Sequence, residues 1–226
     1  SYFGIADFAR TTGYIVIAGE SPATTIVEAT NRSAGSFSAG SWKLKKIKFR
    51  EVVSAVPAGG AWVEGNALSV MGTAQLALDD GFESEVIADS SVSVVSTGAF
   101  RAISLADSSL VTIYKAKITA TDDTPGQVVK ARMTGLVSYG SSVCNLRGVN
   151  TGDVCLEING DFNVSVTANG GYINRNAVVM PVVMGTSQGK RYSALNGGRI
   201  VTMGGPDYFP GATVGTVETS TFSWYK

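Results

Sequence analysis

The chain has 226 residues, and its 18 basic and 18 acidic side chains give a formal net charge of zero, so there is no global electrostatic case for binding nucleic acid. It contains no histidine, which excludes Ser-His-Asp and Cys-His catalytic units within the chain and removes the commonest transition-metal ligand, so we expect neither a metal nor a cofactor. No run of about 18 apolar residues occurs, and the sequence therefore predicts no membrane-spanning helix.

The first sixty residues predict short strands joined by turns. β-prone runs occupy 13–17 and 24–27, and a Gly-Glu-Ser-Pro segment separates them. A Ser- and Gly-rich segment at 31–40 precedes one long strand candidate at 42–53. Because Pro-Ala-Gly-Gly at 57–60 favours a break in regular structure, we expect a β-rich N-terminal portion at 1–60.

A near-repeat lies at the centre of the chain. The sequence ADSSVSVV at 88–95 returns eighteen residues later as ADSSLVTI at 106–113. Corners and β-prone runs at a fixed spacing predict an all-β chain that forms a right-handed parallel β-helix, a solenoid whose turns stack on one another. We expect this solenoid to span 61–205, with Val92 over Leu110 and Ile87 over Leu105. The alternative is a β-sandwich whose strands have a similar spacing.

The pattern of strands continues to the end of the chain. Asn-Gly corners occur at 159–161, 169–171 and 196–198, and both residue types tolerate the positive φ that tight corners require. Residues 206–226 are rich in aromatic side chains. We expect them to form a cap over the open end of the solenoid and to pack between subunits.

The chain has two cysteines, Cys144 and Cys155. Eleven residues separate them, so a disulfide is possible. We expect free thiols instead, because a chain of this length does not need a disulfide to fold and free cysteine packs well as a small apolar residue.

The C-terminal sequence resembles a known family. Asn-Gly-Gly-Arg-Ile-Val at 196–201, Tyr-Phe-Pro-Gly at 208–211 and Gly-Thr at 215–216 are similar in kind and order to the ends of many bacteriophage tail fibre and tailspike proteins. The resemblance implies a homotrimer of the extracellular virion tail, folded in the host cytoplasm, that recognises a bacterial surface polysaccharide. Some members of the family also cleave that polysaccharide, but no active-site motif of theirs aligns with this chain.

Asp89 and Asp107 occupy the same position in the two copies of the near-repeat. If the copies stack, their carboxylates lie about 5 Å apart, a separation suited to glycoside cleavage by an acid and an ionised partner. The alternative, which we favour, is that Asp-Ser-Ser forms a corner whose side chains bond to backbone N–H groups.

Two charged clusters lie in the first ninety residues. In one extended strand, Lys46, Lys48 and Arg50 would share a face and could bind phosphate- or carboxylate-bearing glycans. The alternative is a solvated strand whose lysines discourage edge pairing. The acidic cluster predicts either a calcium or sugar site or, more commonly, a solvated rim. Its members are Asp79, Asp80, Glu83 and Glu85.

Aromatic side chains near the C-terminus are the remaining candidates for binding. Tyr208, Phe209 and Trp224 could stack on the C–H faces of sugars, although packing between subunits, favoured here, uses the same residue types.

Three functions follow from these patterns. The leading hypothesis is a phage tail fibre or tailspike segment that binds a bacterial surface glycan. The alternatives are a tailspike that cleaves the glycan as a glycosidase or lyase through paired carboxylates, and a bacterial surface adhesin built on a β-helix.

Overall fold

The computed structural model describes ten stretches of the chain, which are residues 6–8, 14–54, 63–88, 98–121, 132–150, 153–159, 164–175, 182–184, 189–202 and 204–226. Within them the protein is all-β, with twenty-two strands and one turn of 3-10 helix at Thr219–Thr221. None of the helical structure in these stretches is long and apolar enough to cross a membrane. The strands are, in chain order, β1 (Ala6–Phe8), β2 (Tyr14–Ala18), β3 (Ile26–Thr30), β4 (Gly35–Phe37), β5 (Ser41–Lys45), β6 (Lys48–Val53), β7 (Val63–Val70), β8 (Gln75–Asp79), β9 (Phe82–Ala88), β10 (Gly98–Leu105), β11 (Leu110–Ile113), β12 (Ala116–Thr121), β13 (Arg132–Tyr139), β14 (Val143–Leu146), β15 (Val154–Asn159), β16 (Val164–Asn169), β17 (Tyr172–Arg175), β18 (Val182–Met184), β19 (Lys190–Leu195), β20 (Arg199–Val201), β21 (Thr216–Val217) and β22 (Trp224–Tyr225).

The chain visits three parallel sheets in turn. Sheet A contains β1, β4, β7, β10, β13, β16, β19 and β21; sheet B contains β2, β5, β8, β11, β14, β17, β20 and β22; sheet C contains β3, β6, β9, β12, β15 and β18. The pairings between these strands are parallel. This arrangement is consistent with a parallel β-helix and differs from a β-sandwich, whose sheets are antiparallel.

The eighteen-residue register expected from the near-repeat is wrong. Leu110 pairs with Gln75, 35 residues earlier, and with Val143, 33 residues later. Eighteen residues is therefore about half of one circuit through the three sheets. Ile87 lies in sheet C and Leu105 in sheet A, so these two residues are not stacked. The first copy of the repeat begins at Ala88, the last residue of β9 in sheet C, and its other residues, Val92 included, lie outside the described residues; the second copy follows β10 in sheet A.

The long strand expected at 42–53 is two strands in two sheets. β5 belongs to sheet B and β6 to sheet C, and Lys46 lies between them with a left-handed φ of 52°. The backbone N–H of Lys46 donates to the carbonyl of Asp80 in the next circuit. The in-and-out alternation of a single strand is interrupted here, because the consecutive residues Lys45 and Lys46 both lie outside the core while Leu44 and Ile47 are buried.

A column of apolar side chains runs through the space that the sheets enclose. In sheet A, Ile103 pairs with Leu68 on one side and Leu136 on the other, and all three are fully buried. An aliphatic side chain buried in this way stabilises the fold by about 1.5–3 kcal/mol. Because equivalent positions repeat at every circuit, each strand shares its apolar face with two neighbours.

The proposed division at residue 61 does not coincide with the edge of a sheet. β4, β5 and β6 pair with β7, β8 and β9 across it. Similarly, β21 and β22 of the predicted cap pair with β19 and β20. In the described residues, all three sheets therefore extend across the first predicted boundary, and sheets A and B extend across the second.

Both cysteines are free thiols, as expected. Cys144 on β14 is buried in sheet B, and Cys155 on β15 is half-buried in sheet C. Burial raises the pKa of both thiols, which keeps them protonated and poorly nucleophilic at neutral pH.

Candidate functional site

A groove of about 320 Å³ lies where the chain passes from sheet A to sheet B in the last circuits, and we call it the corner groove. Its lining residues are Gly140, Ser141, Ser142, Gly170, Gly171, Tyr172, Gly197, Arg199 and Trp224. Six of them belong to the corners, and three are the first residues of strands in sheet B. The groove is therefore a product of the corners rather than of a sheet alone.

Small residues at the corners explain why the groove forms here. The segments from sheet A to sheet B have three residues at 38–40, four at 71–74 and at 106–109, three at 140–142, two at 170–171, three at 196–198 and six at 218–223. The short segments that line the groove, at 140–142, 170–171 and 196–198, consist mainly of Gly and Ser. With little side-chain volume at the corner, the first side chains of the following strands stand beside an open space.

Three large side chains form one column beside these corners. Tyr172 pairs with Arg199, and Arg199 pairs with Trp224. The following residues in the first two strands, Ile173 and Ile200, are fully buried, so the column faces outward. Adjacent strands are about 4.8 Å apart, which places the two aromatic residues about 10 Å apart with the arginine between them.

Among the described residues, Arg199 is the only charged side chain that lines the groove. Its guanidinium carbon lies 6.0 Å from the centroid of the Trp224 ring, within reach of a cation–π contact. Among the described residues it forms no salt bridge, and the residue is exposed. The guanidinium can therefore offer several N–H donors to a ligand.

The corners that carry the groove are held by buried hydrogen bonds. The Ser138 hydroxyl lies 3.0 Å from the carbonyl oxygen of Ser142 and 2.8 Å from its hydroxyl, and all of these atoms are buried. A Cβ added to Gly171 would meet the hydroxyl and the backbone of Ser138. The wall of the groove is therefore packed against sheet A and has little freedom to move.

The predicted basic cluster is neutralised by the predicted acidic one. The Lys48 Nζ atom lies 2.8 Å from a carboxylate oxygen of Glu83. The Arg50 Nε atom lies 2.6 Å from Glu85, and its Nη1 atom lies 3.2 Å from Glu28. Lys48 and Arg50 do share the outer face of sheet C, as expected, but Lys46 lies apart from them at a turn. Lys48, Arg50, Glu83 and Glu85 therefore form one ladder of paired charges.

The other two predicted acidic residues lie outside this ladder. Asp79 pairs with Lys43 in sheet B, and Asp80 is exposed at the turn after β8.

Asp107 forms a corner. It has a left-handed φ of 58°, and its Oδ2 atom accepts a hydrogen bond of 2.9 Å from the backbone N–H of Gly72 in the preceding circuit. Gly72 and Gly140 adopt left-handed φ values at the same corner of the neighbouring circuits. Asp89 lies outside the described residues, so the predicted pair of Asp89 and Asp107 stays a prediction. Among the described residues, no cluster of three Cys, Asp or Glu side chains could hold a metal ion.

The three predicted aromatic residues lie in different environments. Phe209 is fully buried, and its ring contacts the Tyr208 ring edge-on at 4.9 Å between centroids. Tyr208 is half-buried, with the guanidinium of Arg175 5.9 Å from its ring centroid. Burial raises the pKa of the Tyr208 hydroxyl. Trp224 alone of the three lines the corner groove.

Tyr172 and Arg199 were not among the predicted binding residues. Each follows a corner that ends in Gly-Gly and precedes a buried isoleucine, in the sequences Gly-Gly-Tyr-Ile and Gly-Gly-Arg-Ile. This shared pattern, with a spacing of 27 residues, is the signal in the sequence that could have identified the two residues. It marks equivalent starts of strands, but only the register shows that Tyr172 and Arg199 are neighbours.

Comparisons of this chain with protein-family models, with curated proteins and with solved structures found no match.

Proposed function

We propose that this chain is a segment of a bacteriophage tail fibre or tailspike and that its corner groove binds a bacterial surface polysaccharide. The observation that carries the proposal is the outward column of Tyr172, Arg199 and Trp224 beside glycine-rich corners. Aromatic faces pack against the C–H surfaces of sugar rings. Backbone groups and serine hydroxyls at the corners supply partners for sugar hydroxyls.

The fold in this proposal is a right-handed parallel β-helix. Three parallel sheets visited in the order A, B, C from β1 to β20 support it, and connections between parallel strands are right-handed in about 98% of cases. Stacked circuits give a stiff surface on which equivalent positions recur at the strand spacing. A repetitive glycan can therefore meet several equivalent positions along one molecule.

The proposal includes a homotrimer. The resemblance of residues 196–216 to the ends of tail fibre and tailspike proteins supports it. Near the C-terminus, the side chains of Val214 and Phe222 are 61% and 87% exposed, and apolar surface of this kind is commonly covered in an assembly. A solution mass of three chains would agree with this part of the proposal, and a mass of one chain would contradict it.

The groove is tested by glycan binding. Purified capsular polysaccharides and lipopolysaccharides from a bacterial panel are arrayed, and binding of the wild-type protein is compared with that of Tyr172→Ala, Trp224→Ala and the double variant. Loss of one stacking ring should weaken binding about five- to tenfold, and loss of both should abolish it.

Tyr114→Ala is the matched control. Tyr114 is exposed at the outer face of sheet B, beyond the end of β11, and does not line the corner groove. The Tyr114→Ala variant should bind glycans with the affinity of the wild type. Equal losses in Tyr114→Ala and Trp224→Ala, or binding by none of the panel, would contradict the proposal. Assays for new reducing ends and unsaturated sugars on the same samples test the alternative in which the glycan is cleaved.

A further inference from the structure

We propose that the corner groove selects an acidic glycan and that Arg199 binds the carboxylate of a hexuronic acid residue. This inference rests on the proposed function and names the substrate class of the same groove. It follows from the distribution of charge over the outer faces of the sheets.

The strands of sheet B around the groove contain no acidic residues. β14, β17, β20 and β22 contain no Asp or Glu, whereas they contain Arg175 and Arg199. Arg199 is thus a cation on an exposed sheet face with no opposite charge beside it in the column, where its neighbours are Tyr172 and Trp224. A ligand with negative charge would supply the opposite charge for Arg199 that its neighbours in the column do not supply.

Sheet C presents the opposite case. Its outward cations are matched on neighbouring strands, with Lys48 beside Glu83, Arg50 beside Glu85, and Lys117 2.6 Å from Glu157. A glycan carboxylate at sheet C would have to displace an existing carboxylate. No described carboxylate lines the corner groove, and that of Glu218, in the corner before β22, accepts hydrogen bonds from the N–H of Asn196 and the hydroxyl of Thr221. An anion that binds Arg199 therefore displaces no described carboxylate, so its binding should be more favourable than at sheet C.

The geometry fits a carboxylate in particular. Arginine presents a planar fork whose two N–H groups match the two oxygens of a carboxylate. The rings of Tyr172 and Trp224, one strand to each side, can hold the neighbouring sugars in the direction of the column. On the same outer face, two residues further along their strands, the side-chain amides of Asn145 and Asn174 lie 3.5 Å apart and can bond to sugar hydroxyls.

The test uses matched pairs of glycans. Each capsular polysaccharide of the panel that contains hexuronic acid is compared with the same polymer after chemical reduction of its carboxyl groups to primary alcohols. Binding to the native polymer should exceed binding to the reduced polymer by about ten- to a hundredfold, and rising salt should narrow the difference.

Three variants test whether the preference for the native polymer over the reduced polymer depends on the Arg199 side chain. Arg199→Gln should bind native and reduced polymers equally, and Arg199→Lys should keep only part of the preference because it lacks the fork. Arg147→Gln removes another exposed arginine after β14, outside the groove lining, and should keep the full preference.

The outcomes separate this inference from the proposed function. Binding of neutral glycans that depends on Tyr172 and Trp224, with no effect of carboxyl reduction, would overturn the inference and leave the proposed function standing. Binding restricted to phosphate-bearing glycans would also overturn it. If no glycan binds, the proposed function and the inference both fail.

Discussion

Replacing Glu51 by glutamine should remove a strong dependence of stability on pH. Glu51 points inward from β6, in the same row as Ala29 and Val86, and is fully buried. One carboxyl oxygen accepts a hydrogen bond of 2.8 Å from the backbone N–H of Arg32. The other oxygen has no hydrogen-bond partner among the described residues. Desolvation of this carboxyl raises its pKa to about 8, from 4.5 for the free group.

The magnitude follows from linkage between protonation and folding. Because the folded chain holds the proton more tightly than the unfolded chain, the favourable contribution is complete below pH 4.5 and is lost as the pH rises through about 8. The pKa difference corresponds to a loss of about 5 kcal/mol across the whole window, of which about 3 kcal/mol is already lost at pH 7. No histidine titrates in this window, because the chain has none.

The assay is urea unfolding of the wild type and of Glu51→Gln at intervals between pH 5 and pH 9. The free energy of unfolding of the wild type should fall by several kcal/mol over this range, and that of Glu51→Gln should stay nearly level. Above pH 8 the variant should be the more stable protein, since its amide carries no charge to bury.

Glu20→Gln is the control for this experiment, because Glu20 is exposed. It should show the same slope against pH as the wild type. A slope in Glu51→Gln that matches the wild type would refute the argument, whatever its stability at a single pH. Comparing slopes also removes the constant effect of exchanging an oxygen for an amide nitrogen.

Two further predictions concern packing and surface charge. Gly171→Ala should lower the free energy of unfolding by about 1–3 kcal/mol, because the new Cβ meets the backbone of Ser138. Thermal unfolding measures this change, and an unchanged midpoint would contradict the packing described here. Glu85→Gln should lower the free energy of unfolding by less than about 1 kcal/mol, since the ion pairs of Glu85 with Lys48 and Arg50 are only partly buried. A decrease of several kcal/mol, measured by unfolding in 0.5 M salt, would show that the ladder of paired charges contributes far more.

The all-β class could be predicted because short stretches of sequence specify strands and turns. Alternating β-prone runs and corners rich in Gly, Asn, Asp and Ser do so over a few residues. The length of a circuit could not be predicted from the near-repeat, because its two copies begin at the ends of strands in different sheets, whereas equivalent corners of successive circuits share little sequence. Ala106 begins the corner after β10, and its counterpart one circuit earlier is Met71, at the start of the corner after β7. The carbonyl of each residue accepts a hydrogen bond from the backbone N–H three residues later. The sequences ADSS and MGTA share little at that point except a residue that takes a left-handed φ.

The charged residues show the same limit. Lys48 and Glu83 are 35 residues apart, and the sequence presents them as two clusters with separate functions. Their register in sheet C makes them neighbours, and their charges cancel. Conversely, nothing in the sequence marks Arg199 as a binding residue. It becomes a candidate only from the register, which places it between Tyr172 and Trp224 on neighbouring strands.

The composition of the corners gives a physical reason why the candidate site lies toward the C-terminal end. The short corners that line the groove are Gly-Ser-Ser at 140–142, Gly-Gly at 170–171 and Asn-Gly-Gly at 196–198. Because glycine has no side chain and serine has a short one, these corners leave the first side chains of the next strands, Tyr172 and Arg199 among them, beside an open space. Corners can vary in this way without any change in the stacked core, because the core depends on the inward residues of the strands.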